Sequence, residues 1–378
     1  MPTLDEAQEA ARAIPLEAPE PFESQHKEKT MHISIRRAVV TALISLPAMV
    51  LSLLAAPGGA SHPATAVDAH PATRKFSFSY TVAVPAAPDA KEKLRLWIPV
   101  PHSDAYQDIT TLEVKSPVKH ILKSDAFYQN EFAYFDVSAA QLQKGFEVHM
   151  TFNVVRHEHR VDLAEKPAKA APPLSPAEQQ RDLSPDKLVP LAGVIGETSA
   201  EETKGLTDPL AKAHALYNYV IATMKYDKTG TGWGHGDAAW FCTAKKGNCT
   251  DFHGYFIGLA RAAGIPARFE IGFPLPAKQG EGAIGGYHCW AEFYVIGYGW
   301  IPIDASEAWK HPEERTYFFG AHDVNRVQFT RGRDINLAPK QTGDPLNYSV
   351  YPYAELDGKP FSGLKSEFAF KDLDAKPN

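Results

Sequence analysis

The chain has 378 residues, 44% apolar and 22% charged, enough for a packed core and more than one typical domain. Its 39 basic against 45 acidic residues leave a net charge of -6, with no dense Lys/Arg run outside the extreme N-terminal region, which argues against nucleic acid as a partner. Three cysteines, Cys242, Cys249 and Cys289, are too few for a disulfide framework, and their odd number leaves at least one thiol free or paired between chains.

Near the start, His32 to Arg37 carries two arginines, and Ala38 to Ala56 is uncharged and rich in Leu, Val and Ala. That is the layout of a secretory signal peptide. Gly58-Gly59-Ala60 and Ala64-Thr65-Ala66 follow, and cleavage is expected after Ala66. An uncleaved anchor is the rival reading, because the run approaches the ~20 residues that span a bilayer. Pro47 and the small-residue exit favour cleavage, so the protein is expected to be exported, periplasmic or secreted, with no stable membrane span afterwards. Residues 1–30 are polar and precede Met31, which is an alternative start.

From Arg74 the pattern turns to β. Phe76, Phe78, Tyr80, Val82 and Val84 occupy alternate positions and predict one buried strand face. Leu94–Val100, Phe132–Val137 and Phe146–Val155 add short strands, so residues 70–162 are expected to form a β-sandwich-like domain. Pro167, Pro172, Pro173, Pro176 and Pro185 mark a Pro/Ala-rich linker, taken as 163–200. A helix is expected from Pro209 behind Thr207 or Asp208, followed by a Gly-rich loop over Tyr226–Asp237. The core domain is expected over 201–310. Residues 311–378, with Pro339, Pro345, Pro352 and Pro360 and no strong period, are expected to be a C-terminal extension packing on it.

Gly247-Asn248-Cys249 opens a second helix whose apolar stripe runs through Phe252, Tyr255, Phe256, Leu259 and Ala263, and Gly264-Ile265-Pro266 ends it. A cysteine at a helix start faces free N–H groups and the positive dipole end, which favour the thiolate. By itself the same pattern also fits a small buried residue. A base is available on the run His288-Cys289-Trp290-Ala291-Glu292-Phe293-Tyr294-Val295, where alternation puts His288, Trp290 and Glu292 on one face and Cys289 on the other, in the core. A turn at Gly297-Tyr298-Gly299 would return Trp300–Asp304 along that strand with Asp304 opposite Glu292, so contact with His288 requires a bulge or a diagonal reach.

Gly-Asn-Cys249, Arg-Ala-Ala-Gly-Ile-Pro-Ala-Arg268, His288-Cys-Trp-Ala-Glu292 and Gly-Trp300-Ile-Pro-Ile-Asp304, in that order, resemble the bacterial transglutaminase-like superfamily over about Asp208–Ser306. The resemblance implies an α+β fold: a papain-like transglutaminase core, with a Cys-bearing helix packed on an antiparallel sheet, preceded here by the β-sandwich-like domain. It also implies Cys249 as nucleophile, His288 as base and Asp304 as the residue that orients the base. The expected activity is cysteine-dependent acyl transfer on a peptide or protein amide, with cell-envelope components among the candidate substrates. Hydrolysis is favoured over cross-linking, and no cofactor is needed. A non-catalytic envelope-binding scaffold, and a module silenced by a Cys242–Cys249 disulfide, are the alternatives. Trp233 and Trp240 are unassigned oxyanion donors. His157, His159, His235 and His253 lack the spacing of a metal site, so no metal is expected. Asp251, Arg268 and Glu270 are expected to form structural ion pairs.

Overall fold

A computed structural model describes residues 72–374 apart from 166 and 168; the expected signal peptide and its cleavage site lie outside the described residues. The first strands are β1 (Thr73–Val84), β2 (Lys93–Val100), β3 (Gln107–Lys115), β4 (His120–Ser124), β5 (Glu131–Ser138) and β6 (Phe146–His157). Along β1 the expected alternation is realised, with Phe76, Phe78, Tyr80, Val82 and Val84 all buried. Three helices follow: α1 (Pro176–Leu183), α2 (Val194–Glu202) and α3 (Pro209–Thr223).

Residues 163–200, expected as linker, therefore carry two helices. A proline there need not mark a loop: Pro176 is the first residue of α1, where a missing N–H costs nothing, and Ser175 with Glu178 forms a capping box ahead of it. α2 is fastened to the core by Ser199, whose Oγ donates to Leu259 O at 2.8 Å. α3 starts at Pro209 with Asp208 as its cap, accepting from Ala211 N at 2.9 Å.

The longer elements that follow are α4 (Ala238–Ala244), α5 (Cys249–Ala262), β7 (Ala267–Pro274), β8 (Glu281–Ala283), β9 (His288–Val295), β10 (Gly299–Ile303), α6 (Ala305–Lys310), β11 (Arg326–Arg331), β12 (Tyr353–Leu356) and β13 (Lys365–Asp372). One five-stranded sheet runs β8-β13-β1-β6-β3, and another runs Lys359–Pro360, β12, β2, β5, β4. The four-stranded antiparallel sheet β10-β9-β7-β11 supports α5. Both five-stranded sheets are completed by strands from beyond residue 350, because β13 pairs with β1 from Phe76↔Asp372 to Ala83↔Lys365 and β12 pairs with β2. The alternation Ser366, Phe368, Phe370, Asp372 was present in the sequence but is short and flanked by polar residues.

One apolar core joins these layers. Phe273 of β7 meets Phe368 at 4.2 Å, Phe329 at 5.1 Å and Phe78 at 5.5 Å between ring centroids, so the four-stranded sheet is seated on the first five-stranded sheet through aromatic contacts. Next to it, Gly272 lies opposite His288 where the β7–β11 register shifts. A Cβ at Gly272 would lie 1.8 Å from Val327 O, a backbone atom that cannot swing away. Gly272→Ala is expected to cost about 3 kcal/mol in denaturant unfolding by overpacking. A loss under about 0.5 kcal/mol would show that β11 shifts freely.

Candidate active site

Cys249 is the first residue of α5 and is 2% exposed. The helix begins there because Asn248 caps it, accepting from Thr250 N at 2.9 Å, while Asp251 accepts from Asn248 N at 2.9 Å. Asp251 also takes Gly234 N at 2.7 Å and Gly236 N at 2.9 Å. Instead of the expected ion pair, it ties the Gly-rich loop to the helix start. Burial raises its carboxyl pKa to about 7 against the pull of those three N–H donors. At Gly247 a Cβ would sit 2.4 Å from Asp251 Oδ2, which explains a glycine two residues before the thiol.

His288 opens β9, and Asp304 follows β10 as the N-cap of α6. The hairpin loop is 296–298 rather than 297–299: Val295 pairs with Gly299 and Ala291 with Ile303. Continuing that register puts Asp304 opposite Trp290, on His288's face and two residues from it, so contact is made by a diagonal reach. His288 Nε2 lies 2.7 Å from Asp304 Oδ2. An ionised carboxylate only accepts, so Nε2 carries a proton, and the ring is also hydrogen-bonded to the Cys249 thiol. Asp304 Oδ1 accepts from Glu307 N and Ser306 Oγ, each at 3.0 Å, so one carboxylate both caps α6 and orients the imidazole.

These contacts set the charges. Burial opposes ionisation of Cys249, but hydrogen bonds from Cys289 and His288, with the positive fields of His288 and Lys310, hold its thiol well below the usual range. For His288 burial favours the neutral ring, yet Asp304 and the thiolate raise it to about 10. Asp304 is held well below the usual carboxylate range, against burial, by His288 and Arg326. The arrangement is a buried thiolate, imidazolium and carboxylate in sequence.

Apart from His253, one helical turn past Cys249, the neighbours of this array were not legible in the sequence. Cys289 faces α5, within 3.7 Å of both Thr250 Oγ1 and His253 Nδ1, and it, rather than Cys242, is the thiol beside Cys249. Cys242 lies instead against Tyr255 Oη at 3.4 Å, and all three cysteines are reduced. His253 accepts Ala305 N at Nε2, 3.1 Å away. Tyr287 Oη bridges Asn248 Nδ2 at 3.0 Å and Thr250 Oγ1 at 2.9 Å, locking the helix start to the residue before His288. Arg326 Nη1 reaches Asp304 Oδ2 at 3.1 Å.

Trp233 Nε1 donates to Gly230 O at 3.0 Å and is spent within its loop. Trp240 packs against Gly232, whose φ of +91° and lack of a side chain admit the ring. His157 faces Asp108 at 3.2 Å and is half-buried, whereas His159 is buried with Nδ1 3.1 Å from Glu292 Oε1. His159, Glu292 and His322 offer ligand atoms within 4.8 Å of one another. The other oxygen of Glu292 is held by Arg268 Nε at 2.7 Å, so a cation there would meet a carboxylate already neutralised by an arginine. The second such grouping, His288, Asp304 and Glu307, is the site itself. Arg268 pairs with Glu292, and Glu270 with Arg331 at 2.9 Å, as structural ion pairs.

Residues 197–305 match the family model described as the transglutaminase-like superfamily. An uncharacterized protein of Haemophilus influenzae is 28% identical over 368 residues, covering 86% of this chain and 98% of that one. The fold resembles a Cytophaga hutchinsonii structure described as a "Putative Cysteine Protease", with a TM-score of 0.55 and 18% identity over 81% of this chain and 93% of that one. Residues 197–305 thus carry a transglutaminase-like core.

Proposed function

We propose that the protein is an exported cysteine-dependent acyl-transfer enzyme that opens amide bonds through a thioester on Cys249 and passes the acyl group to water. The observation that carries this reading is the buried run from the Cys249 thiol through His288 to Asp304, 2.7 Å beyond it, at the start of one helix. The thiolate attacks the amide carbonyl, and the backbone N–H of Cys249, which has no intrahelical acceptor, is placed to donate to the oxyanion. His288 gives its proton to the departing ammonia or amine, then removes one from the water that hydrolyses the thioester. Asp304 keeps the ring in the required tautomer.

Export rests on the basic and apolar run of residues 32–66. It would bring the site to exported proteins and envelope peptides, both rich in amides. Among the described residues no helix is long and apolar enough to cross a membrane. The Cytophaga hutchinsonii protein's description as a protease agrees with hydrolysis.

The pH dependence tests the chemistry. Because the thiol is held low and His288 at about 10, Cys249 should react with limiting iodoacetamide at a nearly constant rate from below pH 7 to about pH 10. Amide turnover should fall as pH rises through about 10, where His288 loses the proton the leaving group needs. Mass-resolved labelling of wild type and His288→Ala across pH 4–10 checks it. A Cys249 that labels only above about pH 8 in both proteins would overturn the reading. Adding a primary amine during turnover separates the acceptors: hydrolysis leaves the product acid unlabelled, and cross-linking incorporates the amine.

A further inference from the structure

Asp304 has more partners than orienting one imidazole requires. Its Oδ2 accepts from His288 Nε2 at 2.7 Å and from Arg326 Nη1 at 3.1 Å. Arg326 opens β11, is 2% exposed, and lies over the Trp290 ring, 4.8 Å from its centroid. Trp290 is itself pinned by Glu270, which accepts its indole N–H at 2.8 Å. The other side of the guanidinium is held by Asp323, 3.2 Å from Nε.

A buried guanidinium persists where carboxylates offset its lost hydration, and a buried carboxylate persists on the same terms. From Cys249 to Arg326 the charges alternate as thiolate, imidazolium, carboxylate and guanidinium, two of each sign. Removing the guanidinium leaves this dry site with one net negative charge, and a site so charged binds a proton more tightly.

We propose that Arg326 is a positioning residue for this site: it clamps Asp304 behind His288 and supplies the fourth charge that makes the buried array neutral. This rests on Cys249 being the nucleophile. Its geometry is independent of that reading, because the contacts to Asp304 and Trp290 stand whatever the thiol does.

Other groups face the same carboxylate and guanidinium. From α5, His253 Nε2 lies 3.5 Å from Asp304 Oδ1. From β9 comes Cys289, beside Cys249. Arg156 of β6 and His322 lie within reach of the Arg326 charge, and His159 stands beside His322. From α6, Glu307 and Lys310 pair with each other at 2.7 Å. The side chains of Glu307, Lys310 and Asp323 are 22%, 32% and 16% exposed, so water screens them, whereas Arg326 meets Asp304 in the interior.

The test is the labelling rate of Cys249 with iodoacetamide across pH 3–10 in wild type, Arg326→Gln and Arg326→Lys, with circular dichroism confirming the fold of each. In Arg326→Gln the pH of half-maximal rate should rise by on the order of 1 unit, a tenfold slower reaction on the acid limb. Arg326→Lys keeps the charge and should return most of that shift, while losing the contact with Trp290. An unchanged acid limb in a folded Arg326→Gln protein would overturn the proposal and leave the nucleophile assignment standing. A folded Arg326→Lys protein with the limb of Arg326→Gln would do the same, and it alone decides the matter if Arg326→Gln fails to fold. If wild-type Cys249 shows no acid-range reactivity at all, the function reading fails instead.

Discussion

Asp304→Asn will leave the fold in place and lower kcat for amide turnover by on the order of 10⁴. The amide that replaces the carboxylate offers an N–H or a neutral oxygen where His288 Nε2–H, 2.7 Å away, now meets an anion. The ring then turns or changes tautomer, and the imidazolium loses the charge that sustains it. Asp304→Ala will be worse for the whole protein. It removes the cap of α6 and takes from buried Arg326, 3.1 Å from the lost oxygen, one of its two carboxylate partners, leaving only the partly exposed Asp323. That combination should cost about 3–5 kcal/mol in denaturant unfolding. A comparably active Asp304→Asn protein, or an Asp304→Ala loss under about 1 kcal/mol, would show that Asp304 is only a cap.

Cys249→Ala should lower kcat for acyl transfer by about 10⁶, the loss seen when the nucleophile of such a unit is removed. The buried thiol is small, and its neighbours Cys289 and Thr250 remain to fill the helix start, so the stability change should stay within about 1 kcal/mol. The variant is therefore a clean control. Steady-state turnover on an amide substrate, with intact-mass detection of the acyl-enzyme, checks both halves. Residual activity within tenfold of wild type would move the chemistry to another residue, with Cys289 the first to examine.

How much of this was readable beforehand varies by element. The start of α5 was, because Asn248, Cys249 and the Gly264-Ile265-Pro266 stop are local signals of capping and termination. Period-two alternation gave the faces of β1 and β9 for a similar reason, since side-chain direction in a strand follows parity alone. Parity also put Asp304 on the face of His288. It left the register open by one pair, because the turn 296–298 and its neighbour 297–299 both contain the Gly and aromatic residues a hairpin accepts. Asp251 reads in the sequence as an ion-pair partner, but its partners are backbone N–H groups that carry no side-chain signature.

The sequence by itself determined the local chemistry: a thiol at a helix start, an imidazole at a strand start and a carboxylate at a strand end, each set by short-range propensity and spacing. Tertiary structure alone decided what surrounds them. Arg326 comes 22 residues after Asp304, beyond an irregular stretch, and reaches it only because β11 pairs with β7 at the sheet edge. Cys289 was readable as pointing away from His288, but that the helix start carrying Cys249 lies over it depends on how α5 packs on β9. The closing of both five-stranded sheets by β12 and β13 is a pairing across more than 250 residues, which no local periodicity encodes. Burial and charge balance at the site are properties of that packing, because an ion pair gains its strength only where the folded chain has removed the water.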